Sequence, residues 1–177
     1  MLARVERELD GGEFAEMHHP TGHTELCMDR GRAAALLLFL CNDPTLFDLV
    51  RSITGCDPIG AFAGRVYRLL PGPKHAGRWH DDNTDGRMIA MSINLGRAPF
   101  DGGVFELRDR DSGRVLRQVP NTGPGDALLF RIGPDLQHRV TGVEGEVEKT
   151  AYAGWFRSEP EAKLVTPAAS LARGARA

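Results

Sequence analysis

The hydrophobic and polar positions of this chain change their period near residue 59. Before that point, residues 31–41 (GRAAALLLFLC) form an Ala/Leu-rich run of high helix propensity. Asp43 is placed to cap a second helix and Pro44 to open it. In that helix Leu46, Phe47, Leu49, Val50 and Ile53 recur at helical spacing on one face, and Gly55 stops it. These helices, spanning residues 31–55, are expected to cover a sheet. From residue 59 onward the period shortens to two. Residues 61–70, 87–95, 104–108, 114–119, 126–130, 138–140 and 150–156 read as short strands bounded by Gly, Pro, Asn or Asp. Arg110-Asp111-Ser112-Gly113 has the composition of a hairpin turn. In 87–95, Ile89, Met91, Ile93 and Leu95 point to one side, while Met88, Ala90, Ser92 and Asn94 point to the other. A sheet face that is neither greasy nor highly charged suits a cavity lining.

Short strands following helices predict a mostly β fold with flanking helices, a cupin-like jelly roll with an N-terminal helical buttress. The expected organisation is one domain over 1–157, with the β-barrel core at 59–157, and a flexible tail over 158–177. The 21 glycines and 11 prolines include those that punctuate the strands of the second half. A length of 177 residues suits a single domain that needs no disulfide staple. The 22 basic and 24 acidic residues give a net charge of −2, which lacks the basic balance of a nucleic-acid binder. The longest apolar run, residues 33–41, is too short to cross a membrane and reads as a buried helix. Acidic residues stand where a signal peptide needs an apolar stretch, so a cytoplasmic location is expected. Cys27, Cys41 and Cys56 form no C-x-x-C pair and read as three free thiols. Oligomeric state is not legible.

Candidate chemistry begins at Arg78-Trp79-His80-Asp81-Asp82-Asn83. On a strand, residues i and i+2 share a face, so His80 and Asp82 could bind one ion together. Such a match is weak alone, and His23-Thr24-Glu25 is a rival. Context favours His80, which follows a strand and a Gly/Pro-rich loop at 71–77. A third ligand, His138, lies in a short strand after Gly133-Pro134. Two imidazoles and one carboxylate form the facial triad that suits ferrous iron and leaves three positions open. Lys149, opening the last strand, could hold a dianionic cosubstrate on that metal. On the same face as Lys149, Ala151 and Ala153 leave space for a ligand. Ser92 and Asn94, with Arg87, are candidates to face the pocket. Lys74, His75 and Arg78 lie on a loop that could cover a substrate, and Trp79 could wall the site or face the helices. His18, His19 and His23 read as a surface cluster, because no strand pattern supports a site there.

Taken in order, His80-x-Asp82, residues 100–108 (FDGGVFELR), residues 124–130 (PGDALLF), His138-Arg139-Val140, and Lys149 leading to Gly154-Trp155-Phe156 resemble the iron(II)/2-oxoglutarate-dependent oxygenases. The resemblance is closest to their prolyl-4-hydroxylase-like branch and runs over residues 65–157. It implies a double-stranded β-helix. It further implies that His80, Asp82 and His138 bind Fe(II), that Lys149 pairs with the distal carboxylate of 2-oxoglutarate, and that Tyr67 contacts the same cosubstrate. The implied reaction uses O2, with ascorbate as a reductant. It hydroxylates an unactivated C–H of a small molecule, amino acid or peptidyl substrate and converts 2-oxoglutarate to succinate and CO2. Related halogenases generally replace the carboxylate with a small residue, so Asp82 favours hydroxylation. Two other readings stand beside this one. One is a cupin-like isomerase or dioxygenase that does not use 2-oxoglutarate. The other is a noncatalytic jelly-roll binding module.

Overall fold

A computed structural model describes residues 2–19, 22–28, 31–84, 86–120 and 123–159. Helix α1 (Leu2–Gly11) precedes a hairpin of β1 (Ala15–His18) and β2 (Thr24–Met28). Helices α2 (Arg32–Cys41) and α3 (Pro44–Thr54) follow. The remainder is β: β3 (Ala61–Leu69), β4 (Arg87–Asn94), β5 (Asp101–Gly102), β6 (Phe105–Asp109), β7 (Val115–Val119), β8 (Ala127–Arg131), β9 (Leu136–Val140), β10 (Val143–Glu144) and β11 (Lys149–Arg157). A major antiparallel sheet has the order β1-β2-β3-β11-β4-β8, and a minor one has the order β7-β6-β9. A two-stranded β10-β5 ladder adds to these. The fold is the expected mostly β, jelly-roll architecture with helices against one sheet.

Alternation assigns the faces of the major sheet. Phe62 and Val66 of β3, Ile89 and Met91 of β4, and Tyr152 and Phe156 of β11 join Val5, Leu9, Ala33, Cys41 and Val50 of the helices in one core. The opposite face carries Arg65, Tyr67, Ala90, Ser92, Lys149, Ala153 and Trp155 into a cavity. β11 lies between β3 and β4 and pairs Gly154 with Gly64 and Met91. A Cβ on Gly154 would run into the Ala63 carbonyl and the Gly64 Cα, so this crossing admits only glycine. Asn42 pins the α2–α3 corner to the sheet. Its Nδ2 donates to the carbonyls of Leu38 (2.8 Å) and Phe62 (3.0 Å), and its Oδ1 accepts from Phe62 N–H at 2.9 Å. The α3 caps follow expectation. Asp43 accepts from Thr45 N–H at 2.7 Å, and Gly55 N–H donates to Arg51 O at 2.8 Å.

Three expectations need correction. The N-terminal region holds a helix and a hairpin as well as the two helices. The run 33–41 is buried on one side only, because Phe39 is 77% exposed while Ala33 and Cys41 are buried. Leu49 and Ile53 do not share the buried face of α3. The packed stripe is centred on Val50, between Leu46 and Phe47, and a helix turning about 100° per residue carries positions 49 and 53 outward. Of the tail, residues 160–177 lie outside the described residues.

Candidate active site

His80 ends the loop after β3 and forms an isolated antiparallel bridge with His138 of β9. Two backbone hydrogen bonds make the bridge, His80 N–H to His138 O (3.1 Å) and His138 N–H to His80 O (2.8 Å). The bridge sets the imidazole centroids 4.2 Å apart. Asp82 does not share a strand face with His80, as the i, i+2 spacing suggested. It lies in a loop at φ 53°, the one non-glycine residue in the left-handed region among those described. That strained backbone turns its carboxylate back toward the imidazoles. Asp82 Oδ2 is 3.4 Å from His138 Nε2 and 3.7 Å from His80 Nε2. One donor atom from each of the three residues lies within 4.8 Å of the others, a set that could hold a metal ion.

The surroundings prepare these atoms for a cation. His80 Nδ1 lies 2.7 Å from the Arg78 carbonyl, which can only accept, so Nδ1 carries the proton and Nε2 offers its lone pair. Burial holds the His138 imidazolium down, favouring the neutral ring. Burial pushes the Asp82 carboxyl up, but the imidazoles and the Trp155 N–H outweigh it and bring it to about 2. Trp155 Nε1–H donates to Asp82 Oδ2 at 3.0 Å. The Arg87 guanidinium covers the Trp155 ring at 3.7 Å and lies 3.6 Å from Asp82 Oδ1. Two nitrogens and one oxygen, with no fourth protein donor among the described residues, fit an open transition-metal site better than a closed structural one.

A cavity of about 560 Å³ opens from this cluster, walled by Phe105 and Phe130 on the minor-sheet side. Lys149 and Tyr67 project into it. Lys149 Nζ donates to Gly103 O at 3.0 Å and makes no ion pair among the described residues. Burial pushes its ammonium down to about 8. Gly103 adopts φ 59°, and a side chain there would press on Phe100 and the Lys149 stem. The Tyr67 hydroxyl is hydrogen-bonded to Ser92, and burial pushes it up to about 12. Asn94 does not reach the main cavity. Its Oδ1 accepts from Gly96 N–H at 2.9 Å, and it lines a small side pocket with Lys149 and Ser92.

The structure also brings in groups that the sequence left on the surface. His19 and His23 lie at the β1–β2 turn and line the cavity with Glu25, and the exposed His18 also borders it. The His19 and His23 rings stack at 4.3 Å, and the His23 centroid is 6.2 Å from that of His80. His19, His23 and Glu25 also place donor atoms within 4.8 Å of one another. Arg65 decides against a metal there. Its guanidinium lies 2.5 Å from Glu25 Oε1 and already balances that charge. Two unit charges 4 Å apart near a protein surface repel by about 4 kcal/mol, so a divalent ion beside Arg65 would meet about twice that. The His23-Thr24-Glu25 pattern was the signal for this wall, and the hairpin around it was the missing context. Of the loop candidates, only His75 enters the cavity, its Nδ1 donating to Thr24 O at 2.8 Å. Lys74 pairs with Glu16 (2.5 Å), and Arg78 is exposed. Trp79 neither walls the cavity nor faces the helices. Its ring meets the guanidinium groups of Arg108 (4.3 Å) and Arg139 (4.5 Å).

Residues 64–157 match the family model described as the 2OG-Fe(II) oxygenase superfamily. No curated protein sequence matches the chain. Among solved structures, a 2OG-Fe(II) oxygenase family oxidoreductase from Burkholderia pseudomallei superposes with a TM-score of 0.63 at 18% identity, covering 88% of this chain and 78% of that one. A Pseudomonas putida prolyl-4-hydroxylase gives 0.61 at 24% identity, covering 88% and 83%. The non-heme α-ketoglutarate-dependent epimerase SnoN from nogalamycin biosynthesis gives 0.61 at 16% identity, covering 88% and 71%.

Proposed function

The chain belongs to the 2OG-Fe(II) oxygenase superfamily, and from that membership we propose that it hydroxylates an unactivated C–H of a small molecule, amino acid or peptidyl substrate. Iron(II) and 2-oxoglutarate are the family's cofactors. In this reading His80, Asp82 and His138 hold the iron, and Lys149 pairs with the distal carboxylate of 2-oxoglutarate. The observation that carries it is the half-buried ammonium of Lys149, without an ion pair among the described residues, in the same cavity as the two imidazoles and one carboxylate. A buried ammonium without a carboxylate costs stability, and a dianion in the cavity offsets that cost.

When bound, iron(II) and 2-oxoglutarate supply the O2-dependent oxidation, with 2-oxoglutarate leaving as succinate and CO2. The chain's own residues orient and protect. The Arg78 carbonyl fixes the His80 tautomer and ring plane. Trp155 holds one Asp82 oxygen by its N–H. Gly103 O aims Lys149 Nζ into the cavity. Tyr67, anchored on Ser92, lies among the small side chains of β11 and offers its hydroxyl to the cosubstrate. Phe105 and Phe130 form an apolar wall beside His138, with ring centroids 6.1 and 4.6 Å from its imidazole.

The test is to add 2-oxoglutarate to the Fe(II)-loaded protein without oxygen, then admit oxygen and assay succinate. A visible band on the first addition and succinate after the second are expected. Absence of both overturns the reading. A substrate that gains one oxygen atom identifies a hydroxylase, and a stereoisomer of unchanged mass identifies an epimerase.

A further inference from the structure

The wall formed by β2 and β3 holds a charged pair that the iron and 2-oxoglutarate do not use. Glu25 and Arg65 both line the cavity, and Glu25 is only 7% exposed. Four donors converge on a single Glu25 oxygen. Arg65 Nε (2.9 Å), Arg65 Nη2 (2.5 Å), His19 Nε2 (2.9 Å) and Cys27 Sγ (3.3 Å) all meet Oε1. Oε2 has no hydrogen-bond partner among the described residues. Burial pushes the Glu25 carboxyl up, but the Arg65 charge and the hydrogen bonds from His19 and Arg65 outweigh it, so the group stays ionised. That oxygen is not sealed inside the protein, and Glu25 lines the cavity, so a ligand there can supply the donor it lacks. The pair lies near the metal-side residues, since His23, within 4.8 Å of the same cluster, faces His80.

The charges restrict what that ligand is. Glu25 and Arg65 sum to zero, so a lone cation at Oε2 is attracted by one and repelled by the other. A lone anion meets the reverse. A group with a donor and an acceptor side by side gains from both ends, its donor on Oε2 and its acceptor turned toward the guanidinium. An amide has that layout and carries no charge to desolvate. We propose that the Glu25–Arg65 pair anchors the substrate through an uncharged amide, its N–H donating to Glu25 Oε2 and its carbonyl facing Arg65. This rests on the oxygenase reading and names the substrate class for that site, whether the amide belongs to a peptide or to a small carboxamide.

Four matched compounds test it for each of several side chains: N-acetyl amino-acid amide (uncharged), N-acetyl amino acid (anion), amino-acid amide (cation) and free amino acid (zwitterion). Binding is measured calorimetrically without oxygen on protein loaded with Fe(II) and 2-oxoglutarate, the visible band confirming the loading. For the best side chain, the uncharged form is expected to bind at least tenfold more tightly than either singly charged form. A dipeptide compared with the simple N-acetyl amide then separates peptide from carboxamide. Glu25→Gln leaves Arg65 in excess and shifts preference at least tenfold toward the anion. Arg65→Met leaves Glu25 in excess and shifts it toward the cation. The double variant, neutral again, loses both preferences and serves if one single variant fails to fold. Folded, loaded variants that keep the original ranking overturn the proposal, as does tightest binding of the zwitterion or no binding by any of the four. Loss of the visible band in the unmodified protein instead overturns the oxygenase reading beneath it.

Discussion

Lys149→Met keeps most of the side chain's length and volume while deleting its charge, and its two consequences have opposite sign. If Nζ pairs with the distal carboxylate, the variant leaves one partner of a buried pair alone. That loss is worth about 3–5 kcal/mol, or roughly two to three and a half orders of magnitude in the Kd for 2-oxoglutarate. In the ligand-free protein the ammonium has no carboxylate partner among the described residues, and burial lowers its pKa from 10.5 to about 8. At 1.36 kcal/mol per tenfold change in proton affinity, that corresponds to at most about 3 kcal/mol, less where cavity water screens the charge. The variant is therefore expected to raise the Tm of the ligand-free protein by a few degrees while weakening 2-oxoglutarate binding. The pH dependence follows from the same proton. The ligand-free fold releases it near pH 8 and the unfolded chain near 10.5, so between those values the unfolded state binds more protons and stability rises with pH. Affinity for 2-oxoglutarate moves the other way, level below about pH 7 and falling as pH passes 8. Anaerobic titration of the Fe(II) protein from pH 6.5 to 9.5, beside thermal melts of both proteins, measures all of this. An unchanged Kd together with an unchanged Tm in Lys149→Met would refute the reasoning.

His80→Ala, Asp82→Ala and His138→Ala are each expected to lose stoichiometric iron in metal analysis while keeping the far-ultraviolet circular dichroism of the folded protein. Trp155→Phe removes the N–H that holds Asp82 Oδ2, and equilibrium iron titration should show a 10–100-fold weaker site. Asn42→Ala deletes three hydrogen bonds between the helical corner and Phe62 or Leu38, and urea unfolding should show a loss of roughly 2–3 kcal/mol with iron binding intact. Gly154→Ala forces a Cβ into the Ala63 carbonyl and should lower the Tm by more than any of the preceding substitutions, read by the same melts.

The long strands β3, β4 and β11 were legible because each has one face in a greasy core. Phe62 and Val66, Ile89 and Met91, and Tyr152 and Phe156 repeat at period two, and turn residues mark the ends. The short β5 and β10 strands, two residues each, are too brief to carry any period. The α3 face was misjudged for a related reason. Five apolar residues spread over more than a third of a helix's circumference, and only packing against Phe156 and its neighbours selects which of them are buried.

The site failed to read in proportion to how polar it is. Hydrophobic patterning finds a wall only when the wall is greasy, and the cavity's β1–β2 wall is built from His19, His23 and Glu25 facing Arg65. Along the sequence such a wall cannot be told from a solvated edge, which is why the hairpin went unseen and its histidines were placed outside. The metal-side residues escaped this because their signal is one of chemistry and order, two imidazoles and a carboxylate at the right places between strands, rather than of hydropathy. Yet even there the spacing pointed to residues that the fold brings together for a different local reason. His80 and Asp82 meet through a left-handed turn at Asp82 and a bridge to β9, neither of which a two-residue strand period describes. Backbone strain of that kind is affordable only where the surroundings hold it, and the Trp155 N–H and the Arg87 guanidinium both close on the Asp82 carboxylate. A carboxylate aimed against its own backbone preference, held by an indole on one oxygen and an arginine beside the other, is what a site needs when one oxygen must stay fixed.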